Sequence, residues 1–365
     1  MNTPMSLVVI GLSLSSSWGN GHATTFRALL RGLREQGHRT LFLERDVPWY
    51  AENRDLDAPD FCSLEFYDDV ADLELYRPAI RGADAVIVGS YVPDGVAVID
   101  RVAAMRPQRF CFYDIDTPVT MARLDRGDEE YIARRQVPLF DSYFSFSGGE
   151  VLTGLMERFG ARVAHPLHCS VDETRYFVTH EDVRWDLGYL GTYSEDRQPV
   201  LERLLFEPAR RLPGQRFVVA GSGYPEGVGW PENVEHIAHL PPRDHISFYN
   251  RQRFTLNVTR ADMVAAGWSP SVRLFEAAAC GTPVISDRWR GLDEFFPEGE
   301  AIAVADTSDD VVRMLTELGE AERLAIARSA RQRVLTSHTG QARARELVAA
   351  LRTLRPTRAA LTLVE

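Results

Sequence analysis

Residues 269–286 read SPSVRLFEAAACGTPVIS, and the way this stretch folds decides the architecture on either side of it. Ser269 is a good helix N-cap. Pro270 suits the first helical position, where an amide hydrogen would be unpaired in any case. The small and apolar residues up to Ala279 predict a short buried helix. Cys280-Gly281-Thr282-Pro283 ends it, and Val284-Ile285-Ser286 enters a buried strand. A helix feeding directly into a strand is the repeating unit of a parallel α/β sheet. Glu276 stands out as a carboxylate beside Phe275 and Ala277-Ala278-Ala279, and a buried carboxylate needs partners. It lies about 9 Å along the axis from Pro270 at a rise of about 1.5 Å per residue. Arg273 is placed either to pair with Glu276 or to reach an anion at the helix start, where free amides and the Ser271 hydroxyl converge.

Upstream, short apolar runs recur at 6–12 (SLVVIGL), 39–45 (RTLFLER), 84–90 (DAVIVGS), 109–116 (RFCFYDID) and 142–147 (SYFSFS), as expected of buried parallel strands. Between the first two, Phe26, Leu29, Leu30 and Leu33 follow a helical stripe, and Gly37 stands where a C-terminal cap belongs. The pattern restarts with DLGYLGTY at 186–193, RFVVAGSG at 216–223, VEHIAHL and FTLNVT at 254–259. This makes two α/β halves in series. We expect a first domain over 1–168, a linker over 169–185 where Pro, Ser and Asp interrupt both periods, a second domain over 186–340, and a C-terminal helix and tail over 341–365. The arginines of the last helices, Arg328, Arg331, Arg333, Arg343 and Arg345, read as a solvated face.

The chain has 365 residues and a formal charge of −11, which argues against nucleic acid or an anionic membrane as partner. Cys62, Cys111, Cys169 and Cys280 lack the spacing of a zinc site or a disulfide framework. The run from Leu7 to Leu14 has no preceding Lys or Arg and makes a poor signal peptide, and no stretch approaches the length of a bilayer span. A cytoplasmic protein without stable membrane insertion is expected, as monomer or homodimer.

Parallel sheets bind ligands at the carboxyl ends of their strands. After the first strand, Gly19 and Gly21 precede a helix and are followed by Glu44 at the end of the second strand, which invites a dinucleotide reading. Thr24 in the third fingerprint position and the six residues from Ser13 to Trp18 before the first glycine count against it.

RLFEAAACGTPVIS, followed by GLDEFFPEGEAIAVAD, resembles the donor-binding region of GT-B glycosyltransferases, most closely the CgeB-like group; GYLGTYSEDR, FVVAGSGY and VDETRYF agree with it. The resemblance implies two facing Rossmann-like domains with a cleft, an acceptor half followed by a donor half. It implies sugar transfer from a nucleotide-diphosphate sugar, a UDP-sugar or dTDP-sugar, to an acceptor hydroxyl, with no metal and no other cofactor. Glu276 matches the glutamate that binds the donor ribose; Ser271 and Val272 match residues that meet the diphosphate. Gly191 and Thr192 match a loop closing over it, Arg197 supplies a cation, and Gly221 belongs to the glycine turn of the next strand. Many retaining members carry another glutamate where this chain has Trp268. His22 occupies a place where some inverting members keep a catalytic base, and Asp114 and Asp116, at a strand end, are rivals for that role.

Bland readings compete. His22 could simply begin a helix, Asp114-Ile115-Asp116 could cap a loop, and Arg288, Trp289 and Arg290 could be a charged helix start as readily as donor contacts. Trp49 and Tyr50 could stack on a sugar or pack a surface loop. The competing functions are a nucleotide-sugar epimerase of the same fold and a noncatalytic nucleotide-sugar-binding module.

Overall fold

The computed structural model describes residues 3–18 and 21–355. The chain divides into two compact units, one running to Ser170 and resuming at Thr339, the other spanning Val171–His338. The second unit opens and closes side by side, since the Val171 amide donates to the His338 carbonyl at 3.0 Å.

The first unit is built on β1 (Ser6–Gly11), β2 (Arg39–Arg45), β3 (Ser63–Tyr67), β4 (Ala85–Gly89), β5 (Phe110–Asp114), β6 (Ser142–Ser145) and β7 (Ala164–Pro166). They form a parallel sheet in the order β3-β2-β1-β4-β5-β6-β7. Both faces are covered, which explains the unbroken apolar runs: Leu7 and Val9 pack into one core, Val8 and Ile10 into the other. The second unit holds β8 (Trp185–Leu190), β9 (Phe217–Ala220), β10 (Val234–Ile237), β11 (Gln252–Asn257), β12 (Val284–Ser286) and β13 (Ala303–Val304). Their order is β10-β9-β8-β11-β12-β13, again all parallel. Each sheet reverses its winding direction once, at β1/β4 and at β8/β11, and the carboxyl ends of such strands are where ligands settle. Strands β7 and β13 escape sequence reading because they are edge strands of three and two residues, too short to show a period.

Five helices bear on the site and the core: α1 (His22–Glu35), α2 (Thr117–Asp125), α3 (Val272–Ala279), α4 (Glu320–Ser337) and α5 (Gly340–Thr353). Helix α1 ends as its sequence predicts, with Gly37 at a φ of 83° and the His38 amide returning to the Leu33 carbonyl at 3.0 Å. Helix α5 packs against α1, burying Ala344, Leu347, Val348 and Leu351 beside Leu29, Leu30 and Leu33. The two backbones touch. A Cβ on Gly32 would stand 2.4 Å from the Gly340 carbonyl oxygen, and one on Gly340 2.1 Å from that of Ala28. This packing corrects the reading of Arg343 as solvated: it is buried and pairs with Glu346 at 2.8 Å.

Candidate functional site

In the second unit the loops after β8 and β9 lie against each other. The Gly191 amide donates to the Ala220 carbonyl at 2.8 Å, and a Cβ on Gly221 would fall 2.0 Å from the Gly191 oxygen. Only glycine permits that approach. The Tyr224 hydroxyl donates to the Gly191 carbonyl at 3.1 Å and fixes the loop from the outer side.

Helix α3 begins later than its sequence suggests. Ser271, not Ser269, is the N-cap, its hydroxyl accepting from the Arg273 amide at 3.4 Å, and Pro270 lies before the helix. The Ser269 hydroxyl turns back to the Gly267 carbonyl at 2.8 Å instead. Trp268, at a φ of 45°, carries the backbone through a left-handed turn that a helix cannot continue. Its indole N–H donates to Glu294 at 2.7 Å, and its ring lies under the Arg290 guanidinium.

Arg273 does not pair with Glu276. Its Nε donates to the Leu190 carbonyl at 2.6 Å and one terminal nitrogen to Asn257 Oδ1 at 2.9 Å, over the face of Tyr189. Asn257 in turn donates to Thr259 and Ser286, and Thr259 donates to Asp287 through both its amide and its hydroxyl. Arg273 thereby stitches the ends of β8 and β11 together. Arg197 donates to the Thr192 carbonyl at 2.8 Å, while its Nε is buried without a partner. Burial holds its pKa below the usual guanidinium range, opposed by Tyr189 and more weakly by Asp196, with the charges of Arg273 and Arg260 adding to the depression. Among the described residues, none of Arg197, Arg260 and Arg273 forms an ion pair. Three cations share a strand-end site with no carboxylate bound to any of them, an arrangement suited to a polyanion.

Glu276 is 5% exposed. Tyr249 donates to its Oε2 at 3.2 Å. Desolvation raises its pKa, opposed by His245, Tyr176, Tyr249 and Arg273. Tyr176 also hydrogen-bonds to this carboxyl, and a carboxylate with about four lone-pair sites can still accept from further donors such as a vicinal diol.

Arg288 is bound to Glu298 and Asp306, Trp289 is buried, and Arg290 reaches the carbonyl of Ala265, so the stretch after β12 braces its own loops.

In the first unit, Gly19 lies outside the described residues, and Gly21 is the N-cap of α1. His22, the first residue of that helix, is 8% exposed; its Nδ1 is buried without a partner, and burial lowers its pKa to about 4. Its ring meets the edge of Tyr91 at 5.3 Å. Asp114 is sealed. Tyr143 donates to one carboxylate oxygen at 2.6 Å, while Thr120 and the Asp116 amide donate to the other. Burial lifts its pKa to about 6 despite those bonds. It organises the loop that presents Asp116, which is half-buried beside Tyr91. Tyr50 is buried and cannot offer a ring face, whereas Trp49 is 52% exposed. Glu44 accepts from the amides of Leu14 and Ser15 and from two serine hydroxyls, so the carboxylate a dinucleotide would need is occupied by the protein's own loop.

Residues 197–349 match the glycosyl transferase-like family. The D-inositol 3-phosphate glycosyltransferase of Mycolicibacterium smegmatis is 33% identical over 135 residues, 34% of this chain and 31% of that protein's length. Solved structures align over nearly the whole chain. A sucrose-phosphate synthase from Thermosynechococcus elongatus superposes with a TM-score of 0.69 at 13% identity, covering 98% of this chain and all 100% of the other. HepE of Anabaena, solved with UDP-glucose, gives 0.67 at 12% identity over 96% of this chain and 100% of its own. An alpha-glucosyltransferase solved with UDP-glucose and DNA gives 0.70 at 12% identity over the same shares. The fold is GT-B.

Within this GT-B chain, sequence reading missed Asn257, Thr259, Asp287, Tyr249 and Tyr176. Asn257-x-Thr259 at the end of a predicted strand was a visible signal, since polar residues at a strand's carboxyl end face the ligand side of the sheet. The two tyrosines left none, because only folding brings them to Glu276.

Proposed function

We propose that this GT-B chain transfers a hexosyl group from a UDP-sugar or dTDP-sugar to an acceptor hydroxyl, using no metal, and that it belongs with the CgeB-like group on the strength of RLFEAAACGTPVIS. The observation that carries this reading is the set of three arginines without an ion-pair partner beside the Ser271 cap and the buried Glu276 carboxylate. Arg197, Arg260 and Arg273, with the Ser271 hydroxyl and the Val272 amide, hold the diphosphate, and Glu276 takes the ribose hydroxyls. The arginines offset the charge that grows on the β-phosphate as its bond to the anomeric carbon breaks.

The acceptor oxygen forms the new bond to that carbon and gives its proton to a general base. Asp116, half-buried and hydrogen-bonded with Tyr91, is the candidate we place in this role. Asp114 has both oxygens engaged, and the free nitrogen of His22 is sealed from solvent. The net charge of −11 makes a polyanionic acceptor unfavourable. The protein acts in the cytoplasm on this reading; no helix among the described residues is long and apolar enough to cross a membrane.

The test is a thermal-shift series with UDP, UDP-glucose, dTDP-glucose and NAD, followed by UDP release with and without added acceptors. Stabilisation by a nucleotide sugar and acceptor-dependent release are expected. Stabilisation by NAD alone would reject the proposal, and donor binding without release would return the binding-module alternative.

A further inference from the structure

Glu276 is held from outside its own helix. Tyr249 and His245 come from the helix His245–Asn250, and Tyr176 comes from the segment that opens the second unit. The Tyr249 hydroxyl donates to Oε2 at 3.2 Å, and the Tyr176 hydroxyl also faces the carboxyl. That hydroxyl lies 3.5 Å from Nδ1 of His245, whose Nε2 stands 3.2 Å from the Leu240 carbonyl. A carbonyl can only accept, so Nε2 carries a hydrogen in either charge state of the ring.

The consequence lies in the single proton of Tyr176. With His245 neutral, Nδ1 is an acceptor and competes with Glu276 for it. With His245 protonated, Nδ1–H donates to the Tyr176 oxygen, and the hydroxyl hydrogen is left for the carboxylate. We propose that Tyr176 and His245 are positioning residues that set the orientation of the Glu276 carboxylate, so that a proton on His245 strengthens the hold on the ribose of a nucleoside diphosphate. The proposal rests on the ribose assignment of Glu276. The other titratable or charged groups around that carboxyl are Arg273 on its own helix, Tyr249 and Cys280. The positive charge of His245 favours the ionised carboxylate, in keeping with such a relay.

Calorimetric titration of the full chain with UDP between about pH 5 and about pH 9 tests it. UDP affinity of the wild type is expected to fall on the acid side, as Glu276 protonates, and again on the alkaline side, where a neutral ring competes for the Tyr176 hydrogen. His245→Gln should lose the alkaline limb while still melting as a folded protein. Tyr176→Phe should lose that limb and bind UDP about three- to tenfold more weakly at the optimum, the effect of one lost hydrogen bond. Glu276→Ala should bind poorly throughout. If Tyr176→Phe and His245→Gln both reproduce the wild-type curve while Glu276→Ala loses binding, the relay is overturned and the ribose assignment stands. If Glu276→Ala binds UDP normally, the ribose assignment fails and the relay fails with it.

Discussion

Arg273 and Glu276 share one turn of α3 and do not meet, because each answers a stronger demand. The arginine lies over Tyr189, where the orphan Leu190 carbonyl and the Asn257 amide oxygen need a donor. The glutamate turns towards two tyrosines. A buried carboxylate gains from every further donor that a ligand brings. Glu276→Ala should therefore weaken UDP binding by about 1–3 kcal/mol, the cost of lost hydrogen bonds to a charged group, and titration calorimetry measures it. At this scale the sequence showed Glu276 as a carboxylate in an apolar run and left its partners open. Arg273 had two possible destinations, and only the fold chose.

His22 yields a second expectation at the same scale. Its folded pKa of about 4 lies below the value of about 6.5 for a free imidazole. The unfolded chain takes up the proton first as pH falls, so the contribution of this group is present above about pH 6.5 and is lost as pH drops through about 4. His22→Gln removes that contribution. Urea unfolding at the two ends of the window should show a smaller acid-side loss in the variant than in the wild type.

Among elements, the crossing of α1 and α5 is the least forgiving contact. Backbone meets backbone at Gly32 and Gly340, with gaps that no added carbon can enter. Gly32→Ala would gain helix propensity elsewhere, by about 1 kcal/mol. Here overpacking outweighs that gain, and a net destabilisation of about 1–3 kcal/mol is expected, read as a lowered Tm. The α3 boundary obeys similar local logic. Ser269-Pro270 has good capping chemistry, but the left-handed turn at Trp268 and the return of Ser269 to Gly267 spend that serine before the helix begins. Ser271 takes over as cap. Capping rules rank candidates by chemistry alone, and two serines two residues apart are equivalent to them.

For the whole molecule, the C-terminal helix matters more than its position at the chain's end suggests. Ala344, Leu347, Val348 and Leu351 fill one core of the first unit. A chain ending after His338 should leave that core open. Limited proteolysis should then cut the first unit rapidly, with the second unit, which lacks none of its own residues, resisting longer.

The sequence by itself determined the α/β class, the strand-helix succession, the restart near residue 186 and the unusual carboxylate at 276. Periodicity, caps and glycines are local, and each is legible within about a dozen residues. Tertiary structure alone decided that α5 returns to α1, that Glu44 and Asp114 are consumed within the protein, that Arg197, Arg260 and Arg273 gather without an ion pair among the described residues, and that Tyr176 and Tyr249 close on Glu276. Those arrangements join residues far apart in the chain, and burial and hydrogen-bond competition settle them only when the strand ends come together.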